Sequence, residues 1–485
     1  MNTETRNLDP RAIWNYFADI NAIPRASKKE EKITAFMKQF GHSLGLDTMV
    51  DATGNVIIKK PASAGMENKQ TVVLQSHLDM VHQKNANIDF DFSTQGIQMY
   101  VDGDWVKAKG TTLGADNGIG VATIMSILAS GDIPHPPIEA LFTVDEETGM
   151  TGAKELKAGV LNGKILLNLD TEDDDELTIG CAGGMDVTID GNYPTQPPVP
   201  GSVGLLLSLT GLTGGHSGVD IQLGRANANK LMNRVLFELQ KEGKIEIHAI
   251  LGGSLRNAIP RESKSVITAT DPQLVKEEIE KWNGILKAEY RVTDPLLVLA
   301  VQETEMPAAI FETGFQQNFL AAVYACPNGI YRMTPGIDGL VQTSNNIAKI
   351  EAADGKFSVQ CLTRSSVDTE KKDLATAIQN SFIACQGKVS FTGEYPGWEP
   401  KPDDPVIKMM SDLYQKMFLS PARVDAIHAG LECGIIGGHY PGMQMISLGP
   451  NIYGAHSPDE RVQISSVQKF WKFLLEILKQ IPDKQ

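Results

Sequence analysis

Four short apolar runs alternate with helix-like segments in the first 170 residues, and this alternation restricts the fold most strongly. The runs are NVIIKK (55–60), TVVLQSH (71–77), IEALFTV (138–144) and KILLNLD (164–170). Each is too short for a core helix and rich in β-branched residues or leucine, which indicates a buried strand. Residues 117–130 have the Ala, Ile, Met and Leu content of a helix. This order predicts an α/β domain with a mostly parallel sheet.

Two proline-rich stretches interrupt this pattern, NYPTQPPVPGS (192–202) and YPGWEPKPDDP (395–405). Such stretches mark linkers that few contacts cross. Between them, strand patterns alternate with helix patterns over 227–241, 272–290, 308–326 and 368–385. After the second stretch the α/β pattern resumes and ends in an amphipathic helix over 466–481. We therefore predict an α/β domain formed by residues 1–195 and 396–485, interrupted by an α+β domain of two tandem β/α units over 196–395.

Charge and cysteine content indicate the compartment and exclude several partners. Asp and Glu outnumber Lys and Arg by 59 to 44 among 485 residues, which argues against nucleic-acid or anionic-membrane binding. No apolar run approaches the roughly 18 residues that span a bilayer, and no secretory signal is visible. The five cysteines are far apart and never form a CxxC pair, as expected for reduced thiols. We predict a cytoplasmic globular protein.

Polar residues follow three of the predicted strands. His77 and Asp79 end one run, Asp145, Glu146 and Glu147 follow the next, and Asp170 ends a third. Open α/β sheets place their ligand crevices at the carboxyl ends of strands. Three adjacent acids repel one another unless a cation compensates their charge. Taken one at a time, these residues also fit a solvated strand end.

Two further segments carry candidate ligands. Asp116 in GTTLGADNGIG (110–120) starts a predicted helix, so it fits an N-cap as well as a carboxylate that bridges two cations. His456 lies in the loop GPNIYGAHSPDE (449–460). Together with the strand-end residues, these side chains supply two imidazoles and three carboxylates, a set that suits zinc, and manganese or cobalt less selectively. Glu146 is the candidate general base for a metal-activated water.

Nine motifs occur in order between His77 and Glu460: QSHLDMV, GTTLGADNGIG, DEETGMTGA, LNLDTE, GCAGGMD, GLTGGHSG, RNAIPRE, HAGLECG and GPNIYGAHSPDE. Together they resemble the motifs of the aminoacyl-histidine dipeptidases (Xaa-His dipeptidase, peptidase D). These enzymes belong to the carnosinase-like family of di-zinc metallopeptidases. The resemblance covers essentially the whole chain, and it implies that the α/β domain is catalytic and that the inserted domain is a lid.

The resemblance also implies a ligand set for two divalent ions, most readily Zn²⁺, with Mn²⁺ or Co²⁺ as alternatives. His77 and Asp170 would bind one ion, Glu147 and His456 the other, and Asp116 would bridge them. Asp79 would orient His77. Glu146 would be the general acid/base that serves a metal-bound hydroxide. The family usually has a cis peptide after the bridging aspartate, so we expect one between Asp116 and Asn117.

Four positions of the inserted domain and the HAGLECG loop match substrate contacts of the family. His216 would stabilise the oxyanion, Arg364 would pair with the substrate's C-terminal carboxylate, and Asn257 would contact substrate. Gly430 would let a loop backbone approach the same end of the substrate. From the residues alone, His216 also fits a hairpin loop, Asn257 a turn and Arg364 a sheet-surface charge.

The resemblance implies hydrolysis of unblocked dipeptides that carry C-terminal histidine, β-Ala-His among them. Three alternatives stay open: a broader di- or tripeptidase, an N-acyl-amino-acid amidohydrolase, and a non-catalytic protein that binds small peptides. The expected partner is a small peptide, with no nucleic acid and no membrane, and relatives suggest a homodimer.

Overall fold

The computed structural model describes residues 3–241 and 243–484, which form two compact units. The first unit ends at Gly180 and also takes in Pro400–Ala426 and the chain from Leu431 onward. The second unit comprises Cys181–Glu399 and Ile427–Gly430. Among the described residues, no helix is both long enough and apolar enough to cross a membrane.

The helices and strands are numbered along the whole chain. The α-helices are α1 (Arg11–Asn21), α2 (Glu31–Ser43), α3 (Ala115–Ala129), α4 (Glu146–Gly149), α5 (Thr151–Glu155), α6 (Ala228–Lys241), α7 (Pro272–Glu289), α8 (Thr313–Ala325), α9 (Asp368–Ser381), α10 (Pro405–Phe418), α11 (Glu432–His439) and α12 (Ile464–Gln480). The strands are β1 (Asp47–Val50), β2 (Val56–Lys60), β3 (Val72–His77), β4 (Met99–Asp102), β5 (Trp105–Ala108), β6 (Ile138–Thr143), β7 (Ile165–Asn168), β8 (Glu176–Cys181), β9 (Gly183–Asn192), β10 (Thr195–Gln196), β11 (Val203–Thr210), β12 (Gly215–His216), β13 (Glu246–Gly252), β14 (Ala258–Ile259), β15 (Ser263–Ala269), β16 (Val298–Thr304), β17 (Ile310–Phe311), β18 (Gly329–Met333), β19 (Val341–Ala353), β20 (Lys356–Ser365), β21 (Lys388–Tyr395), β22 (Arg423–Ile427), β23 (Gln444–Ser447), β24 (Ile452–Tyr453) and β25 (Arg461–Gln463).

The first unit is built on an eight-stranded sheet with the order β1-β2-β6-β3-β7-β23-β8-β22. Its four central strands, β6, β3, β7 and β23, are parallel, whereas β1, β2 and β8 pair antiparallel at the flanks. Every residue of β3, β6 and β7 is buried, as expected for parallel strands covered on both faces. The α/β prediction is confirmed, with parallel pairing confined to the centre. The carboxyl ends of β3, β6 and β7 therefore meet at one edge.

The second unit is an α+β fold around a sheet of order β16-β11-β15-β13-β19-β20-β9-β21, with β18 paired to β19. Its two halves share one arrangement. The strands β11, β13, β15 and β16 form one half, and β9, β19, β20 and β21 form the other in the same relative order. Each half is a strand-helix-strand-strand-helix-strand unit of the ferredoxin-like kind. The halves join edge to edge where β13 pairs with β19.

The two β/α units are nested in the chain, which refines the tandem arrangement expected from the sequence. The first strand of the second half is β9, and the whole first half is inserted between β9 and α8. β9 belongs to the second unit because it pairs with both β20 and β21. The first unit therefore ends at Gly180, before the domain boundary that the sequence predicts after residue 195. The assignment of the second unit as a lid stays a prediction.

Gly253 sits where the backbone of the second unit is most crowded. Its φ is +77°, and an added Cβ would lie 1.8 Å from the carbonyl oxygen of Ala348 in β19. We expect Gly253→Ala to lower the free energy of unfolding by about 2–5 kcal/mol, since it adds overpacking to a left-handed conformation. Gly336→Ala is the control, because Gly336 has φ +83° and no atom within 4 Å of its added Cβ. That control is expected to lose about 1–2 kcal/mol. If urea unfolding showed that both variants lose the same free energy of unfolding, the crowding at Gly253 would have no effect on stability.

Candidate active site

Asp79 organises the first part of the site. Its Oδ1 lies 3.4 Å from Nδ1 of His77, and both side chains are buried. The same carboxylate accepts the backbone N–H of Glu146 at 3.0 Å and that of Glu147 at 3.3 Å. A carboxylate that holds one imidazole nitrogen leaves the other nitrogen free to face a ligand. Asp79 therefore links the end of β3 to the turn that follows β6.

Asp116 lies between two imidazoles. Its Oδ1 is 3.0 Å from Nε2 of His77, and its Oδ2 is 3.2 Å from Nε2 of His456. The backbone of Asp116 and Asn117 is non-helical, so α3 is kinked at this point and its regular part follows Asn117. The peptide between Asp116 and Asn117 is cis, as the resemblance predicts. Both oxygens of the Asp116 carboxylate thus face histidines, which favours the ligand interpretation over the N-cap interpretation.

Two groups of candidate metal ligands share Asp116. One contains His77, Asp116 and Asp170, the other contains Asp116, Glu147 and His456, and the ligand atoms within each group lie within 4.8 Å of one another. Oε1 of Glu147 is buried and has no hydrogen-bond partner, as expected of an atom placed for a cation. Imidazole and carboxylate donors in this arrangement fit two small divalent ions. The groups match the two ligand sets that the resemblance implies, whose metal-binding role stays a prediction.

Glu146 lies beside the two groups that share Asp116 but belongs to neither of them. It forms a third cluster with His77 and Glu147. Burial raises the pKa of Glu146 well above 4.5, the charge of His77 opposes this shift, and the charge of Asp170 adds to it. Burial likewise raises the pKa of Asp170 to about 6. A carboxyl group whose pKa is raised by burial can take up a proton and return it more readily, as a general acid/base must.

A buried polar network behind the strand ends was not predicted from the sequence. Oε2 of Glu432, in α11, accepts hydrogen bonds at 2.7 Å from both Gln75 Nε2 and Thr143 Oγ1. Gln75 in turn accepts from Asn168 Nδ2 at 2.6 Å. The signal was present, because Gln75 and Thr143 are polar residues inside otherwise apolar strand runs. These bonds cross-link β3, β6 and β7 directly beneath the candidate ligands.

Arg25 was also missed, and a lone arginine near the amino terminus offers no motif that could have revealed it. Its guanidinium is buried and donates to the carbonyl oxygens of Leu78, Asp79 and Gly114. It thereby joins the segment after β3 to the segment before Asp116. Both segments carry candidate ligands, so Arg25 fixes the backbone on which the first group is built.

His216 lies in the second unit, and its hydrogen bonds determine which ring nitrogen carries the proton. Its Nδ1 accepts the backbone N–H groups of Gly218 at 3.2 Å and Val219 at 3.1 Å. A nitrogen that accepts two hydrogen bonds carries no proton, so in the neutral ring the proton is on Nε2. Burial lowers the pKa of His216, and the charge of Arg364 lowers it further, which favours that neutral ring. His216 therefore presents an N–H donor.

Arg364, on β20, is a buried cation. It is only 4% exposed, which excludes the sheet-surface interpretation. Its guanidinium donates to Tyr395 Oη at 3.0 Å and lies 3.4 Å from Ser217 Oγ. Across residues 3–241 and 243–484, no carboxylate approaches it within 4.0 Å. Its Nη2 is also 3.4 Å from His216 Nε2, so two donors converge there with no acceptor between them. Because burying an unpaired charge is unfavourable, this arrangement fits an anionic ligand.

The two remaining predicted residues lie on backbone segments of the second unit. Asn257 is exposed, and its carbonyl oxygen accepts the N–H of Ser217 at 2.8 Å, next to the pairing of β12 with β14. Gly430 ends the short segment Ile427–Gly430 that belongs to the second unit. The substrate contacts assigned to His216, Asn257, Arg364 and Gly430 stay predictions.

The chain is similar to known proteins over nearly its whole length. The model of "Peptidase family M20/M25/M40" matches residues 73–480. The cytosol non-specific dipeptidase of Escherichia coli (strain K12) is 40% identical over 484 residues, which cover 99% of this chain and 100% of that protein. The crystal structure of aminoacylhistidine dipeptidase from Vibrio alginolyticus has 43% sequence identity and a TM-score of 0.94, over 100% of this chain and 99% of that chain.

A more distant structure shares the fold alone. The crystal structure of a tripeptidase from Staphylococcus aureus is 17% identical, with a TM-score of 0.56 over 98% of this chain and 99% of that chain. The family match and the extent of the closer similarities confirm the resemblance carried by the nine motifs. The chain therefore belongs to peptidase family M20/M25/M40.

Proposed function

We propose that this protein is a metal-dependent dipeptidase that hydrolyses unblocked dipeptides and prefers histidine at the C-terminal position. The observation that carries the proposal is the pair of ligand groups that share Asp116, with the raised pKa of Glu146 beside them. The names of the E. coli and Vibrio relatives support the dipeptidase activity, and the Vibrio name supports the histidine preference.

Five residues would hold two divalent ions, which we propose to be Zn²⁺, with Mn²⁺ or Co²⁺ as alternatives. His77 and Asp170 would bind one ion, Glu147 and His456 the other, and Asp116 would bridge them. Such a pair of ions, when bound, lowers the pKa of a water molecule and polarises the scissile carbonyl group. Asp79 keeps Nδ1 of His77 engaged, so that Nε2 faces the site.

The protein's own residues would move the proton and bind the substrate. Glu146 would accept a proton from the attacking water and pass it to the leaving amine. The Nε2–H of His216 would donate to the carbonyl oxygen as negative charge develops there. Arg364 would bind the free C-terminal carboxylate, which supplies the missing counter-ion of its guanidinium. Asn257 and the backbone near Gly430 would contact the same substrate.

A second candidate is a dipeptidase of broader specificity, which the word "non-specific" in the name of the E. coli relative favours. That name also contains the word "cytosol", and we propose the cytoplasm as the compartment of this chain. An N-acyl-amino-acid amidohydrolase would use the same metal site with a different substrate-binding region. A homodimer stays a prediction.

The test is the release of free histidine from Ala-His and β-Ala-His by the purified protein. The assay is run after chelation and again after addition of Zn²⁺ or Mn²⁺, with Ala-Leu and N-acetyl-Ala-His as comparison substrates. We expect chelation to abolish turnover and metal addition to restore it. Histidine dipeptides should be cleaved faster than Ala-Leu, and the acetylated substrate should be spared.

The other outcomes separate the candidates. Equal rates on Ala-His and Ala-Leu would replace the histidine preference with the broader activity. Turnover of the acetylated substrate alone would leave the metal site intact and assign an amidohydrolase. If no substrate is cleaved with either metal, the enzymatic proposal falls and a peptide-binding role takes its place.

A further inference from the structure

Glu460 makes an unusual set of contacts at the amino terminus of α3. It ends the motif GPNIYGAHSPDE, it is 2% exposed, and no catalytic or ligand role has been given to it. Its carboxylate accepts four consecutive backbone N–H groups. Oε2 accepts from Leu113 at 2.7 Å and Gly114 at 2.9 Å, and Oε1 accepts from Ala115 at 2.7 Å and Asp116 at 3.2 Å.

These bonds satisfy the N–H groups of the turn that precedes the kink of α3 at Asp116 and Asn117. A buried backbone N–H group that has no acceptor is unfavourable. Gly114 is in the left-handed conformation and has no side chain that could accept one of these bonds. Glu460 supplies the acceptor from the other end of the chain. The carboxylate of Asp116 is therefore left free to face His77 and His456.

Glu460 also joins two candidate ligand segments. It lies four residues after His456 in the same loop, and it binds the backbone of Asp116 itself. The side chains of these two residues meet at 3.2 Å between His456 Nε2 and Asp116 Oδ2. From a different direction, Arg25 donates to the carbonyl oxygen of Gly114. The segment 113–116 is thus held by an anion at its N–H groups and by a cation at a carbonyl group.

We propose that Glu460 is a positioning residue that sets the Asp116 carboxylate between the two metal positions and couples it to His456. This inference rests on the proposed function, because it assumes that Asp116 bridges two ions. Glu460 itself binds neither substrate nor metal in this role. Removing a residue that orients metal ligands typically weakens metal binding about 10–100-fold.

The experiment titrates metal-free wild-type protein and the Glu460→Gln variant with Zn²⁺ and with Co²⁺ by calorimetry. The amide keeps the size of the side chain but can accept with one oxygen only, so two of the four N–H groups lose their acceptor. We expect the affinity for the ions to fall about 10–100-fold and the visible spectrum of the Co²⁺-loaded protein to change. Amide hydrogen exchange over 113–116 should be faster in the metal-free variant, while exchange in the central strands β3 and β7 stays slow.

Asp459→Asn is the matched control, because Asp459 is the exposed neighbour and loses the same charge. It should bind both ions as the wild type does. If Glu460→Gln is too unstable to titrate, Glu460→Asp keeps the charge on a shorter side chain and should give the same changes to a smaller degree.

Each outcome bears on the inference. Wild-type metal binding and spectrum in Glu460→Gln, with only a lower unfolding temperature, would make Glu460 a structural cap and overturn the positioning role. An equal loss in Asp459→Asn would attribute the effect to net charge and overturn it as well. If the wild type itself bound no ion, the proposed function would fail first, and that result is distinct from a failure of the Glu460 inference.

Discussion

Replacing Glu146 by glutamine is expected to lower kcat by about 10²–10⁴-fold, with little change in KM. The amide keeps the size of the carboxyl group but cannot take a proton from water or return it to the leaving amine. Burial raises the pKa of Glu146 well above 4.5, a direction that suits a group that takes up and returns a proton. Since its side chain is outside the two groups that share Asp116, metal binding should persist.

The measurement is steady-state hydrolysis of Ala-His together with the metal content of each variant. Glu155→Gln is the control, because Glu155 is an exposed glutamate in the neighbouring helix α5, and its activity should equal that of the wild type. Full turnover by Glu146→Gln would assign the proton transfer to another group. Loss of bound metal in Glu146→Gln would instead make Glu146 a ligand.

Local patterns predicted the helices of the second unit closely. The expected helices 227–241 and 272–290 are α6 (Ala228–Lys241) and α7 (Pro272–Glu289). Apolar spacing is a local property, so it can be read from the sequence of the helix itself. The assignment of β9 to the second unit could not be predicted from local spacing. Its partner β20 lies more than 150 residues away in the chain, and only that pairing assigns β9 to the second unit.

The candidate site shows the same division between local and distant information. The polar residues at the ends of the predicted strands identified His77 and Asp170 as candidate ligands, because the carboxyl ends of parallel strands meet at one edge of a sheet. The local sequence could not separate the N-cap role of Asp116 from a ligand role. The decisive partner is Glu460, whose carboxylate accepts the N–H groups of residues 113–116 and lies 344 residues from Asp116 in the chain. The burial of Arg364 also depends on the second unit's tertiary structure rather than on its own motif.

Replacing Arg364 by methionine is expected to separate stability from activity. The guanidinium is 4% exposed and has no carboxylate partner among residues 3–241 and 243–484. An apolar side chain of similar length removes that unpaired charge, so the free energy of unfolding should stay unchanged or rise. Binding of a free C-terminal carboxylate should weaken by about 2–4 kcal/mol, seen as a rise in KM of roughly 30–1000-fold for Ala-His.

The substrate comparison decides whether Arg364 binds that carboxylate. A C-terminally amidated dipeptide has no charge to pair, so wild type and Arg364→Met should hydrolyse it at similar low rates. Arg234→Met is the matched control in the same unit, because Arg234 pairs with Glu289 at 2.6 Å on the surface. That variant should lose at most about 1 kcal/mol of stability and none of its activity.

If Arg364→Met lost stability and lost activity equally on both substrates, the arginine would be structural. Arg364→Met could instead be more stable than the wild type and lose activity only on the dipeptide with a free C-terminal carboxylate. That result would mean that the native protein keeps a destabilising charge in order to bind its substrate.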